Sequence, residues 1–140
     1  HVINISSIYG NFPVAGAGVY GASKAAVNFL SESLRVEARG KIKVTTVKPT
    51  GVPATGLSAG IVNPEAVIGI LGQNQAEFQS TMQSIADGQV DPKVVSQDSM
   101  GCAVLEPDYI ADQVIYALNQ PKGVTVGDIT MRGSGDYFVL

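Results

Sequence analysis

Two β-branched runs joined by one long helix-forming stretch constrain this chain most. Val2–Ser6 is short and rich in β-branched residues, which predicts a buried strand. From Tyr20 to about Arg39 the chain is dense in Ala, Leu and Glu, and Gly40 follows as a stop signal. Ile42–Lys48 predicts a second strand, with Pro49 ending it. Strand, helix, strand in this order is a right-handed crossover unit, which implies a parallel sheet. Pro107 opens a further helix to about Asn119, Pro121 lies just past it, and Val124–Met131 predicts a third strand. The expected class is α/β, with about three parallel strands and flanking helices.

The stretch 56–105 is too long to be structureless in a compact domain. Asn63 can cap a helix with Pro64 at its first position, and Asn74 can cap another that runs to Ala86, with Gly88 closing it. Phe78, Met82 and Ile85 repeat at helical spacing and share one face. Anchoring these helices is the plainer role for each apolar residue here. Lining a pocket, with Leu57 and Ile61, is the sharper one. The tail 132–140 carries Gly133 and Gly135 and then an apolar end, which fits a surface tail or packing on a neighbour.

The chemistry-bearing residues cluster early. Tyr20 and Lys24 lie four apart, so a helix puts both on one face, one turn apart. Ser7 ends the first apolar run, thirteen residues before Tyr20. A phenol beside an ammonium, with a hydroxyl near by, can give a proton to a carbonyl oxygen or take one from an alcohol. One close cation is marginal for making a phenol useful near neutral pH. A second positive charge is wanted, and an oxidised nicotinamide ring would supply it.

The string Asn4-Ile-Ser-Ser-x-x-Gly10, followed by Tyr20-x-Ala-Ser-Lys-Ala-Ala-Val27, resembles the short-chain dehydrogenase/reductase family. The resemblance implies the C-terminal part of a doubly wound, Rossmann-type sheet with a helical substrate lid at about 56–105. It implies that Tyr20 is the catalytic acid/base, that Lys24 supports it and binds the nicotinamide ribose, and that Ser7 holds the reacting oxygen. In the family a Pro-Gly-x-Val-x-Thr element then holds the nicotinamide carboxamide. Here the run is Pro49-Thr-Gly-Val-Pro-Ala-Thr55. Thr50 replaces the Gly, while Gly51 and Thr55 each come one place late; Val52 keeps its offset from Pro49. Pro49, Gly51, Val52 and Thr55, with Tyr20 and Lys24, are therefore the expected cofactor contacts. The cofactor is NAD or NADP.

No Gly-x-Gly-x-x-Gly follows a strand in this sequence. Ala15-Gly-Ala-Gly18 reads instead as a loop leading into the Tyr20 helix. Residues 1–140 are thus expected to form a single partial domain, the catalytic half of a longer chain, without its N-terminal cofactor-binding half. The segment is not expected to act alone.

The composition narrows the partners. In 140 residues, 45% are hydrophobic, enough for a packed core, and the net charge is −3 with no basic cluster, so nucleic acid is not an expected partner. No apolar stretch reaches about 18 residues, so no membrane span is expected. A single cysteine, Cys102, fits a reducing, cytoplasmic setting. Asp108 and Asp112 are four apart without further ligands, so no metal site is expected. The favoured function is hydride transfer between a nicotinamide cofactor and an uncharged alcohol or its ketone or aldehyde. The alternative is a catalytically silent nicotinamide-binding sensor or structural subunit of the same fold. The resemblance also implies a homodimer or homotetramer paired through the Tyr20 helix.

Overall fold

The structure is a computed structural model that describes residues 1–53 and 55–139. In chain order its elements are β1 (Val2–Ile5), α1 (Gly18–Glu37), β2 (Val44–Pro49), α2 (Glu65–Leu71), α3 (Gln75–Ala86), α4 (Pro92–Val95), α5 (Pro107–Leu118) and β3 (Asp128–Met131). Single 3₁₀ turns lie at Ile8–Gly10, Ser58–Gly60 and Gly72–Asn74. The strands form one sheet in the order β1-β2-β3, and both pairs are parallel. Val2 lies opposite Val44, and Thr46 opposite Asp128. This is the expected three-stranded parallel sheet with flanking helices, and it matches part of a Rossmann-type fold.

The chain packs as two compact units. The first contains His1–Pro13, Gly18–Pro49 and Pro107–Met131, and so holds the whole sheet with α1 and α5. Its centre is β2, in which Val44 through Lys48 are all buried. A strand covered on both sides reads as a continuous run rather than an alternating one. Its polar members are satisfied in place. Thr45 Oγ1 donates to the Val126 carbonyl at 2.6 Å, and Lys48 Nζ pairs with Asp128 Oδ1 at 2.8 Å. A buried ammonium without such a partner would be costly. On α1 the one buried residue is Ser31, which accepts from Asn4 Nδ2 at 2.8 Å and donates to the Val27 carbonyl at 2.7 Å. A small side chain there lets the helix lie close to β1.

Two boundaries differ from the sequence reading. Helix α1 begins at Gly18 and ends at Glu37, two residues earlier at each end, and Gly40 takes a positive φ of 77° just beyond it. Strand β3 begins at Asp128, not Val124. The Val124 N–H is tied back to the Pro121 carbonyl at 2.9 Å, so the chain is still turning there.

The second unit contains Val14–Ala17, the stretch from Thr50 to Glu106, and the segment from Arg132 onward. Leu71, Ala103 and Tyr137 form its buried cluster, with Val67, Phe78, Val94, Val104 and Phe138 packed against it. Phe78 meets Tyr137 edge to face at a centroid distance of 5.8 Å. Its place is in this core, as an anchor of α3. Leu57 and Ile61 are exposed. Asn63 does not cap α2: Pro64 takes the N-cap place without a side-chain cap, and Asn63 sits one residue earlier, its Oδ1 accepting from the Glu65 N–H at 3.1 Å. Asn74 makes no side-chain cap on α3; its Nδ2 donates to the Tyr137 carbonyl at 3.0 Å instead. The described part of the tail packs within its own unit. Tyr137 is buried, its hydroxyl lies 2.8 Å from Thr81 Oγ1, and the Val139 N–H donates to the Ile70 carbonyl at 3.0 Å. Leu140 lies outside the described residues. Among the described residues no helix is long and apolar enough to cross a membrane.

Candidate active site

Ser7, Tyr20 and Lys24 all belong to the first unit, where the C-terminal end of β1 meets the first turns of α1. Ligands of open α/β sheets gather beyond this end of the strands. After Ile5 the chain leaves the sheet and winds into the 3₁₀ turn Ile8–Gly10. Ser7 caps that turn, its Oγ accepting from the Tyr9 N–H at 3.3 Å. The oxygen is thereby held in place by an incoming donor, which leaves the hydroxyl proton to be donated elsewhere. Ser7 itself is buried.

Glycines let this turn lie against α1. A Cβ on Gly10 would sit 2.6 Å from Asn28 Nδ2, 2.8 Å from the Lys24 carbonyl carbon and 2.9 Å from its oxygen. A Cβ on Gly21 would sit 3.0 Å from the Tyr9 carbonyl oxygen. Two backbones this close leave no room for a side chain at Gly10. Polar ties complete the seam. Ser6 Oγ donates to the Lys24 carbonyl at 3.1 Å, Lys24 Nζ donates to the Ile5 carbonyl at 3.3 Å, and Asn28 Nδ2 donates to Asn11 Oδ1 at 2.9 Å. Ser7 is the next residue after Ser6, so the segment that carries its hydroxyl is fastened to the backbone of Lys24.

Tyr20 and Lys24 are both half-buried on α1. Lys24 Nζ stands 5.8 Å from the centroid of the Tyr20 ring, within cation–π range. An ammonium has three donors, and Ile5 takes one of those on Lys24. The other two suit vicinal hydroxyls such as those of a ribose. A hydroxyl, a phenol and an ammonium are each able to donate a hydrogen bond to an oxygen atom.

Of the expected cofactor contacts, Pro49 closes β2 in the first unit, whereas Gly51, Val52 and Thr55 lie in the second. The Gly51 carbonyl accepts from the Leu105 N–H at 3.1 Å. Thr55 Oγ1 is engaged locally: it donates to the Val52 carbonyl at 2.8 Å and accepts from the Leu57 N–H at 3.4 Å. Among the described residues the Val52 N–H meets no backbone acceptor. Also among the described residues, no group of three or more His, Cys, Asp or Glu side chains could hold a metal ion.

In the sequence Ser6 and Gly10 stand only as members of the string Asn4-Ile-Ser-Ser-x-x-Gly10, with no role of their own. The signal for Gly10 was its position three residues after Ser7, but only the approach of α1 gives that position its meaning.

Comparisons with known proteins bear on the same region. A family model described as short chain dehydrogenase matches residues 1–66. An uncharacterized oxidoreductase of Staphylococcus epidermidis is 31% identical over 132 residues, covering 94% of this chain and 42% of that protein. The human dehydrogenase/reductase SDR family member 11 is 31% identical over 134 residues, with the same two coverages. The chain thus spans about 42% of the length of these curated relatives. Among solved structures, the closed form of a serine dehydrogenase complexed with NADP+ aligns with a TM-score of 0.60 at 26% identity, over 94% of this chain and 43% of that one. An actinorhodin polyketide ketoreductase variant with NADPH aligns with a TM-score of 0.59 at 25% identity, over 96% of this chain and 47% of that one.

Gly10→Ala tests the seam. With backbone atoms of Lys24 in the way, the turn must shift, and we expect a loss of about 1–3 kcal/mol on urea unfolding of the complete protein. A variant within about 0.5 kcal/mol of wild type, the scatter of neutral surface changes, would show that the approach is not required.

Proposed function

The chain belongs to the short-chain dehydrogenase/reductase family, and from that premise we propose that it interconverts an uncharged alcohol and its ketone or aldehyde with NAD or NADP. One observation carries this reading. Lys24 is tied twice to the segment leading into Ser7, its carbonyl accepting from Ser6 Oγ and its ammonium donating to the Ile5 carbonyl, while that ammonium stands 5.8 Å from the centroid of the Tyr20 ring. The solved NADP+ and NADPH complexes that align with the chain support a nicotinamide cofactor.

A nicotinamide dinucleotide, when bound, supplies or accepts the hydride. Every other task falls to side chains. The Ser7 hydroxyl, fixed by the Tyr9 N–H, donates to the substrate oxygen. The Tyr20 hydroxyl gives that oxygen its proton during reduction and takes it back during oxidation. The Lys24 ammonium favours the tyrosinate left behind, and its remaining donors hold the ribose. Gly51 and the Val52 N–H, with Pro49 beside them in sequence, would hold the carboxamide. Thr55 takes a supporting part, because its hydroxyl already braces the Val52 carbonyl. The helical stretch 56–105 acts as the substrate cover, and residues 1–140 work as the catalytic half of a longer domain.

We also propose self-association through α1. Phe29 is 73% exposed and Val36 equally so, with Leu30 at 65%. Among the described residues, nothing covers these side chains. Several large apolar side chains on one solvent-facing helix suit a symmetric dimer or tetramer.

Two experiments on the complete protein test these readings. Tyr20→Phe should lower turnover at least about 100-fold across a panel of secondary alcohols and ketones, the usual scale of acid–base catalysis, while NADH or NADPH still binds. Turnover near wild type would refute the assignment. Phe29→Lys should shift the sedimentation coefficient toward the monomer; an unchanged assembly would place any interface elsewhere.

A further inference from the structure

The tail after β3 bears on the turn that follows β2. Asp136 has a fully buried side chain, 0% exposed, and three groups surround it. Arg132 Nε donates to Oδ2 at 3.1 Å, the Arg132 Nη2 group donates to Oδ1, and Thr50 Oγ1 donates to Oδ2 at 3.1 Å. Arg132 Nη2 also donates to the Phe138 carbonyl at 3.2 Å, which locks the guanidinium against its own loop. The neighbouring residue is held by shape. A Cβ on Gly51 would lie 2.7 Å from Cε2 and 2.8 Å from Cζ of Phe138, so the ring rests directly on the Gly51 backbone. Residues 50 and 51 are thus gripped by one segment, through a charged hydrogen bond and the edge of a ring. All of these residues lie in the second unit.

We propose that Asp136, braced by Arg132, is a positioning residue that sets where the Thr50–Val52 backbone presents itself to the nicotinamide end of the cofactor. This rests on the nicotinamide reading of Gly51 and Val52 given above. It also explains the departure at Thr50. A glycine at that place offers no hydroxyl, whereas this chain carries a threonine and a buried carboxylate to receive it. Deleting the hydroxyl leaves Asp136 with Arg132 alone and frees the peptide that carries the Val52 donor. Deletion of a hydrogen bond to a charged group is large on the scale of binding. The effect is confined to the nicotinamide end, because the backbone that Thr50 anchors is the one proposed to meet the carboxamide.

The test compares NADH, NADPH and ADP-ribose, which lacks the nicotinamide, on the complete protein. Thr50→Val should weaken the better of the two reduced dinucleotides about tenfold and leave ADP-ribose unchanged. Thr50→Ser should restore the dinucleotide to within about twofold, well inside the energy of one hydrogen bond. Asp136→Asn should weaken the dinucleotide in the same direction, and serves if the valine variant does not fold. Equal weakening of ADP-ribose would mean a merely structural role and overturn the proposal. So would an unchanged dinucleotide affinity in both variants while the wild type binds normally. If the wild type binds neither NADH nor NADPH, the nicotinamide reading itself fails and this proposal falls with it.

Discussion

The approach of the Ile8–Gly10 turn to the backbone of α1 is the contact on which the rest depends. It places a carbonyl of the helix where a side chain at position 10 would have to go. Glycine there is a steric requirement, not a matter of loop flexibility. With the gap closed, Ser6 reaches the Lys24 carbonyl and Lys24 reaches back to Ile5. The hydroxyl of Ser7 and the ammonium of Lys24 are then referenced to the same stretch of main chain. A site built this way inherits the rigidity of the strand and the helix, which is what proton transfer between fixed partners needs.

The sheet gives that seam its base. Strand β2 is buried along its length and paired on both sides, so β1 is held in register and cannot slip without exposing Val44 and Val47. The charged residue of this strand, Lys48, is answered by Asp128 from the next strand. Burial of a paired charge at the centre of a small sheet contributes less to stability than apolar packing would. Its service is to fix β3 against β2 at the register observed.

Local chemistry was legible wherever the deciding interactions are local. The β-branched runs at Val2 and Val44 and the helix-forming stretch behind Tyr20 act within a few residues, and each was readable. The sequence misplaced the start of β3, because Val124 and Val126 look like strand while the turn from Pro121 holds them off the ladder. It misjudged Asn74, because a carbonyl 63 residues away at Tyr137 competes for its side chain. The tail was opaque for the same reason. Tyr137 and Asp136 find their partners at Leu71, Thr81 and Thr50, and no periodicity in the tail announces residues so distant. At the candidate site, the one-turn spacing of Tyr20 and Lys24 was visible in the sequence. The fastening of Lys24 to Ile5 and Ser6 was not, since it needs the turn at Gly10 to bring strand end and helix together.

A crystal structure of the complete protein with bound dinucleotide and an alcohol or ketone substrate would test the central claim most directly. The account predicts that Ser7 Oγ and Tyr20 Oη both lie within about 3.2 Å of the substrate oxygen, with Lys24 Nζ at the same range from the ribose hydroxyls. The Ser6 link to the Lys24 carbonyl would remain intact beneath them. A substrate oxygen held by other side chains, with Ser7 or Tyr20 turned away from it, would contradict the account.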